Sequence, residues 1–358
     1  MKRPVTMLAA AAIAIAAAAL GPRLLTSHED DRFDPDHAWS EDTLFTVTQV
    51  RPGVYFATGR QGQIVGANSV FVVTDRDVIL VDDHITPRAA RALVGEIRKV
   101  TDKPLRYVVD THFHYDHTSG NSIFGPEVEI LSHPRTREHL IRTGQETIRL
   151  QAANLPTQIA ALRARADTTR NDSAKTALRR QVAGLEGLLE DYRNLVVTMP
   201  TATVDSSMVL YRGGGQELRI FYFGRGHTDG DVVVQMPKEG LLLAGDLITN
   251  TAGPPNMMDG YAGDWGVTLR HLTQLEFTTT LPGHGAAFDG KERYGQVAEL
   301  MDDIWHQVMA ARSRGATRET VASQVDVTSH AGVFPTLRNP INPGWLQRAF
   351  DVAAGTAH

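Results

Sequence analysis

Short runs of β-branched and aromatic residues set the rhythm of the first half of the chain. Residues 46–50, 54–58, 68–74 and 78–82 are such runs, divided by Pro52-Gly53, by glycines and by Asp75-Arg76-Asp77. They predict an antiparallel meander. The period then changes: Ala90, Leu93, Val94 and Ile97 recur at helical spacing between Pro87 and Val100. A further apolar run, 105–110, leads into a cluster of histidines, after which a helical turn and a strand at 128–131 are expected. Strand, helix and strand in succession, with polar chemistry at a strand end, predict an α/β layered fold.

From 137 to 197 the pattern is helical throughout. Leu155, Ile159, Leu162 and Ala166 form one seam, and Leu178, Val182, Leu185, Leu189, Tyr192 and Val196 a second, with the polar stretch 167–173 between them. Alternating spacings of three and four describe an antiparallel helical hairpin inserted into the layered fold. Arg137, Arg142, Arg149, Arg163, Arg165, Arg179, Arg180 and Arg193 give it a cationic outer face. Because both its ends adjoin elements that carry histidines, the hairpin is expected to border the site as a lid; a dimerisation arm and a pair packed on its own domain are the alternatives. Strands resume at 207–211 and 217–223, joined by Arg212-Gly213-Gly214-Gly215-Gln216. No Lys-Ser/Thr opens a helix after these glycines, so they read as a hairpin turn and not as a phosphate cradle. Runs at 232–236 and 241–244 form the next hairpin, which ends in Gly245-Asp246.

At the N-terminus, Lys2 and Arg3 precede an apolar run from Met7 to Leu20. Its charge, length and position suit a secretory segment, and it is short for a spanning helix. Residues 1–27 are therefore read as a signal peptide or an uncleaved membrane anchor, and the acidic stretch 28–43 as a linker, which places the protein in the periplasm or outside the cell. With 358 residues and 42% hydrophobic content the chain can bury one large core. Its net charge of −5 and lack of a long basic stretch disfavour nucleic acid as the main partner. A small-molecule substrate is expected instead, with a homodimer as a further option and membrane contact only through the N-terminal anchor. The absence of cysteine excludes disulfides, thiolate ligands and a thiol nucleophile. Any metal must be held by nitrogen and oxygen.

The candidate chemistry starts at Thr111-His112-Phe113-His114-Tyr115-Asp116-His117-Thr118-Ser119-Gly120. Side chains two apart on an extended chain point the same way, so His112 and His114 can share one cation. Asp116 and His117, being adjacent, suit a second cation nearby, as two-metal hydrolytic sites require. Three later segments repeat the device of a ligand at a strand tip or between glycines: Gly226-His227-Thr228, Gly245-Asp246 and Gly283-His284-Gly285. Together they make seven N/O ligands. His133, His139, His271, His306 and His330 lack partner spacing and are given no role.

This ordered set, H-x-H-x-D-H, Gly-His-Thr, Ala-Gly-Asp and Pro-Gly-His-Gly, resembles the metallo-β-lactamase superfamily over about residues 44–305, with the ligand set of its glyoxalase II-like members. The resemblance implies a four-layer αββα sandwich, here residues 44–312 with the hairpin 137–197 inserted and a helical extension at 313–358. It implies two zinc ions, with iron or manganese as substitutes: one held by His112, His114 and His227, the other by Asp116, His117 and His284, and Asp246 bridging them. Asp82 matches the family aspartate that orients a ligand histidine. The implied reaction is hydrolysis of an ester, thioester, lactone or amide, a β-lactam among them, by a metal-bridging hydroxide, with Asp116 as the catalytic group. A mononuclear iron dioxygenase of the sulfur-oxidising type and a non-catalytic metal-binding protein are the alternatives. Two features depart from the family pattern. The cysteine that ligates the second metal in many β-lactamases is missing, and the loop 247–264 is additional; its Met257, Met258 and Tyr261 are expected either to wall a pocket or to pack in the core.

Overall fold

The computed structural model describes residues 44–60, 65–213, 215–338 and 341–356. The expected export segment and linker, residues 1–43, lie outside these described residues. No described helix is long and apolar enough to cross a membrane.

Two sheets carry the fold. The first orders its strands β1 (Phe45–Arg51), β2 (Val54–Gly59), β3 (Ser69–Val73), β4 (Val78–Val81), β5 (Leu105–Val109), β6 (Glu129–Ser132) and β7 (Ala202–Thr203) side by side in chain order. The meander β1 to β4 is antiparallel, and from β4 onward the strands run parallel. Parallel neighbours need a crossover, which α1 (Pro87–Val100) supplies between β4 and β5. Thr86 caps that helix by accepting from the Ala89 amide, and Pro87 occupies its first position. The second sheet has the order β13 (Phe288–Asp289), β12 (Thr279–Pro282), β11 (Leu241–Gly245), β10 (Val232–Met236), β9 (Glu217–Tyr222) and β8 (Ser207–Tyr211), and only β11 and β12 pair in parallel. The glycine-rich loop after Tyr211 is a hairpin turn, closed by the Gln216 amide on the Gly213 carbonyl.

Alternation along the strands sorts side chains into three apolar layers. Val70, Val72, Ile79 and Val81 face Leu218, Ile220, Val234 and Leu243 between the sheets. Phe71, Leu80 and Val108 point outward onto Ala89, Leu93 and Ile97 of α1. On the far side Val233, Leu242 and Ala244 meet α6 (Ala262–Leu272), α7 (Glu292–Ser313) and α8 (Pro343–Ala354) through Trp265, Leu269, Tyr294, Met301 and Leu346. The result is helix, sheet, sheet and helix in four layers. Strands β4, β10 and β11 are buried along their whole length, which explains why they read as apolar runs without alternation, broken only by Gln235 of β10.

The helical insertion comprises α3 (Pro134–His139), a π-helical turn (Leu140–Gly144), α4 (Gln145–Thr168) and α5 (Asp172–Asn194). Its apolar faces go to the domain itself: Ile148, Leu155, Ile159, Val182, Leu185, Leu188 and Tyr192 join the cluster built on α1 and the outer face of the first sheet. The second seam differs from the sequence pattern at two places. Leu188 is fully buried where Leu189 was expected, and Val196, beyond the end of α5, is 69% exposed. Arg88 of α1 pairs with Asp191 of α5 at 2.9 Å, which fixes the hairpin laterally. Its long helices approach the histidine cluster at Tyr192, whose ring meets Tyr115 edge-on at 6.1 Å, and α3 approaches it at His139, whose ring stacks on Phe113. The contacts are those of helices packed on their own domain.

If the hairpin is integral to this core, Leu188→Ala should lower the unfolding free energy by about 2–5 kcal/mol in a single cooperative transition. Chemical denaturation followed by circular dichroism measures this, and an unchanged midpoint would show the helices to be loosely attached.

Candidate metal centre

Strands β11 and β12 are parallel, so both end at the same rim; β10 opposes β11, so the loop from β9 to β10 lies there too. Three of the seven expected ligands sit in these places: His227 in that loop, Asp246 one residue after β11, and His284 two residues after β12. The other four follow β5. His112 lies in the connecting loop, His114 takes the N-cap position of a one-turn helix α2 (Tyr115–Thr118), and Asp116 and His117 project from it.

All seven converge. Their ligand atoms form three groups, each within 4.8 Å: His112, His114 and His227; His112, His117 and Asp246; and Asp116, His117 and His284. Asp246 lies between the outer groups, with Oδ2 3.6 Å from His227 Nε2 and 3.3 Å from His284 Nε2, and Oδ1 3.7 Å from His117 Nε2. Asp116 Oδ2 is 3.2 Å from His284 Nε2.

The hydrogen bonds at the outer ring nitrogens determine what the inner ones can do. His117 Nδ1–H donates to Asp82 Oδ2 at 2.8 Å. His112 Nδ1–H donates to Thr111 Oγ1 at 3.0 Å, and that hydroxyl donates to Asp82 Oδ2 at 2.9 Å. His114 Nε2–H donates to Asp259 Oδ2, and His227 Nδ1–H to the Asn256 carbonyl, both at 2.9 Å. With its outer nitrogen protonated, each ring offers a bare lone pair at the inner nitrogen whenever it is neutral. His112 Nε2, His117 Nε2 and Asp246 Oδ1 are buried with no hydrogen-bond partner, and His114 Nδ1 faces His227 Nε2 at only 2.9 Å. Two lone pairs at that distance repel unless a positive charge sits between them. The donor set therefore fits a cation at the three-histidine group, and the carboxylates and shared His117 fit a second.

Electrostatics divide the rings: burial opposes charge on His114 and His117, but Asp259 outweighs it at the first and Asp82 and Asp116 at the second, and both are raised. Burial pushes the imidazole of His227 down to about 3 and that of His112 well below its ordinary value, so neither carries a proton that would compete with a metal at neutral pH. At the other end burial opposes charge on His284, but Asp246 and Asp116 outweigh it and hold that ring up at about 10. Burial likewise opposes ionisation of Asp116 and Asp246, yet the neighbouring His117 and His284 keep both carboxyls well below the usual range. Carboxylates at this end draw in positive charge, whether protons or a cation.

The aspartate expected behind the site is where the sequence placed it. Asp82 follows β4 in left-handed backbone at φ 59°, and His84, two residues on, at φ 75°. These are the two non-glycine residues with positive φ among the described residues, at a cost of about 1–3 kcal/mol each. His84 secures the strained turn: its buried ring lies 2.9 Å from both the Val65 carbonyl and Ser69 Oγ. Gly245, at φ 50°, leaves the space that Thr111 fills, since a Cβ there would stand 2.6 Å from Thr111 Oγ1.

Other supports escaped sequence reasoning. Asp259 lies in the loop 247–264 singled out for its apolar residues; Met257 packs in the core beneath the second sheet, Tyr261 is buried and Met258 is half-buried, and the loop reaches the site through the Asp259 carboxylate. His139, given no role, stacks on Phe113 at 4.2 Å and bonds Asp229 at 2.9 Å, bracing both ligand loops. His133 caps α3, and His330 pairs with Asp303. A carboxylate 145 residues from its histidine carries no local spacing signal.

The layered fold and this residue set together define a hydrolase-type fold with a cluster that could bind metal. Residues 63–284 match the family model of the metallo-β-lactamase superfamily, and the chain belongs to that superfamily. Among curated proteins it is 25% identical over 277 residues to a linear primary-alkylsulfatase from a Pseudomonas species, covering 73% of this chain and 50% of that protein. The chain thus spans half the length of the alkylsulfatase. It is 20% identical over 257 residues to the metallo-β-lactamase type 2 of Bacillus cereus, covering 70% of this chain and 80% of the other. A metallo-β-lactamase from Pontibacter korlensis shares the fold with a TM-score of 0.52 at 17% identity, over 71% of this chain and 99% of that one.

Two outcomes are expected here. Asp82→Ala should weaken metal binding by roughly 10–100-fold, because His117 loses its acceptor and the Thr111 hydroxyl that orients His112 loses its own; metal per chain after dialysis against a chelator reads this. Since His284 stays protonated up to about pH 10 in the metal-free protein, a metal must displace its proton, and apparent affinity should rise with pH across 7–9. Calorimetry at pH 8 in buffers of different ionisation enthalpy should show proton release, and none would contradict the charge on His284.

Proposed function

We propose that the protein is a dinuclear zinc hydrolase cleaving an ester, thioester, lactone or amide, with the alkylsulfatase relative adding a sulfate ester to the candidates and the Bacillus cereus relative a β-lactam. The observation that supports it most is the division of the seven residues into three groups linked by His112 and His117, with Asp246 in the middle one. When bound, such a pair of cations supplies Lewis acidity that polarises the scissile group and makes water nucleophilic near neutral pH. The chain's own residues do the rest. Asp116, with its side chain 21% exposed, can accept and hold the proton of the attacking water, while Asp246, 8% exposed, is limited to neutralising charge between the two groups. No serine or cysteine nucleophile is required.

We also propose export, from the Lys2-Arg3 charge before the apolar run to Leu20. Ligands that are all nitrogen and oxygen tolerate an oxidising compartment. A dimer, if present, is a separate proposal to be read from solution mass.

The test is a hydrolysis screen of the purified protein with nitrocefin, lactones, thioesters, sulfate esters and phosphodiesters, with metal quantified on the same sample. Turnover that needs two zinc ions per chain and disappears on chelation is expected; full activity with one iron would overturn the reading. Asp116→Asn should lower turnover by roughly 10²–10⁴-fold with zinc retained, whereas Asp246→Asn should first lower zinc occupancy. Wild-type turnover in fully loaded Asp116→Asn would remove Asp116 from the mechanism.

A further inference from the structure

Two of the three histidines in the first group are held by one loop. Asp259 takes the outer N–H of His114, and the Asn256 carbonyl takes that of His227, each at 2.9 Å. Between β11 and α6 this loop has no strand or helix of its own. Something else must hold it still.

The chain beyond residue 284, where the family match ends, provides that hold. Arg348 of α8 donates from Nη2 to the Asp259 carbonyl at 3.2 Å and from Nε to the Gly260 carbonyl at 3.3 Å, with its guanidinium 4.7 Å over the Tyr261 ring. Arg225, two residues before His227, lies over the same ring at 4.5 Å. Upstream in the loop, Arg293 of α7 donates to the carbonyls of Thr249, Thr251 and Gly253, and the Thr336 amide donates to the Ala252 carbonyl. Leu346 and Ala349 anchor α8 in the apolar layer under the second sheet, so Arg348 projects from a fixed element. A planar fork with two donors on adjacent carbonyls sets a backbone position far more closely than one flexible contact could.

We propose that Arg348 is a positioning residue for the three-histidine metal group: by clamping the backbone of Asp259 and Gly260 it sets the Asp259 carboxylate on His114, and through His114 the ligand geometry that His112 and His227 share. The C-terminal segment is then part of the metal site's support, and Arg348 acts through Asp259 and His114 on the three-histidine group. No substrate contact is assigned to Arg348.

This inference rests on reading the three histidines as a metal site, and the experiment separates the two. The full chain carrying His117→Ala loses the ligand shared by the other two groups and retains the three-histidine group, whose zinc affinity is then measured by competition with a chromophoric chelator. Arg348→Met in that background should lower the affinity by roughly 10–100-fold, the range found for outer supports of metal ligands, and Arg348→Lys, which keeps charge and loses the fork, by less. Asp259→Ala should produce a loss of similar size, and adding Arg348→Met to it should produce little more, because the two act in series. A purely structural role for Arg348 would instead give independent losses that multiply in the double variant. Unchanged affinity in Arg348→Met, or multiplying losses, overturns the inference while leaving the metal site standing. Absence of zinc binding by the unsubstituted chain would sink the site reading itself. Should Arg348→Met fail to fold, the Arg348→Lys series alone decides by the same criterion.

Discussion

One carboxylate governs the arrangement of this protein's ligands. Asp82 accepts the Thr111 amide, the Thr111 hydroxyl and the His117 ring N–H, and through Thr111 it also orients His112. It therefore fixes a histidine in each of the three ligand groups. Its own place depends on left-handed backbone directly after a buried strand, which no regular turn supplies without strain. The surrounding packing, with β4 wholly apolar and the His84 ring tied at both nitrogens, is what keeps that unfavourable backbone in place.

Each further ligand is delivered by a rim of the sandwich and steadied from outside it. The insertion reaches the ligand loops through His139, Phe113 and the Thr136 hydroxyl bonded to the Gly230 carbonyl. The C-terminal helices reach them through the loop that carries Asn256 and Asp259. The sandwich thus sets where ligands emerge, and two additions to it set how rigidly they are held. A close approach such as Thr111 against Gly245 joins the sheets at the site itself.

Much of this was legible in the chain. The strands β1 to β6, helix α1 and both later hairpins follow from period and turn residues, because each is a local pattern. The seven residues that converge at the rim were legible because glycines and strand ends mark them. What stayed hidden was non-local. Asp259 and His139 acquire their roles only when distant segments meet, and Leu188 replaced Leu189 in the seam because α5 packs simultaneously on α4 and on the α1 layer, which turns its buried face away from the simple two-helix seam. Met257 could have faced either a pocket or a core, and only the third apolar layer, formed by α6, α7 and α8, decides between them.

The division of ligands between the sheets also bears on how the protein is assembled. His112, His114, Asp116 and His117 all belong to the half of the chain made first, whereas His227, Asp246 and His284 hang from the second sheet. His227 alone stands 113 residues from its nearest partner, His114. A nascent first half offers an ion an incomplete set with an open side, and the set closes only once β12 lies beside β11. An ion held there works as a reversible cross-link across a very long loop, the kind of closure that removes the most freedom from an unfolded chain. Full coordination would thereby be reserved for chains that have finished folding, and an ion so captured would resist their separation into halves.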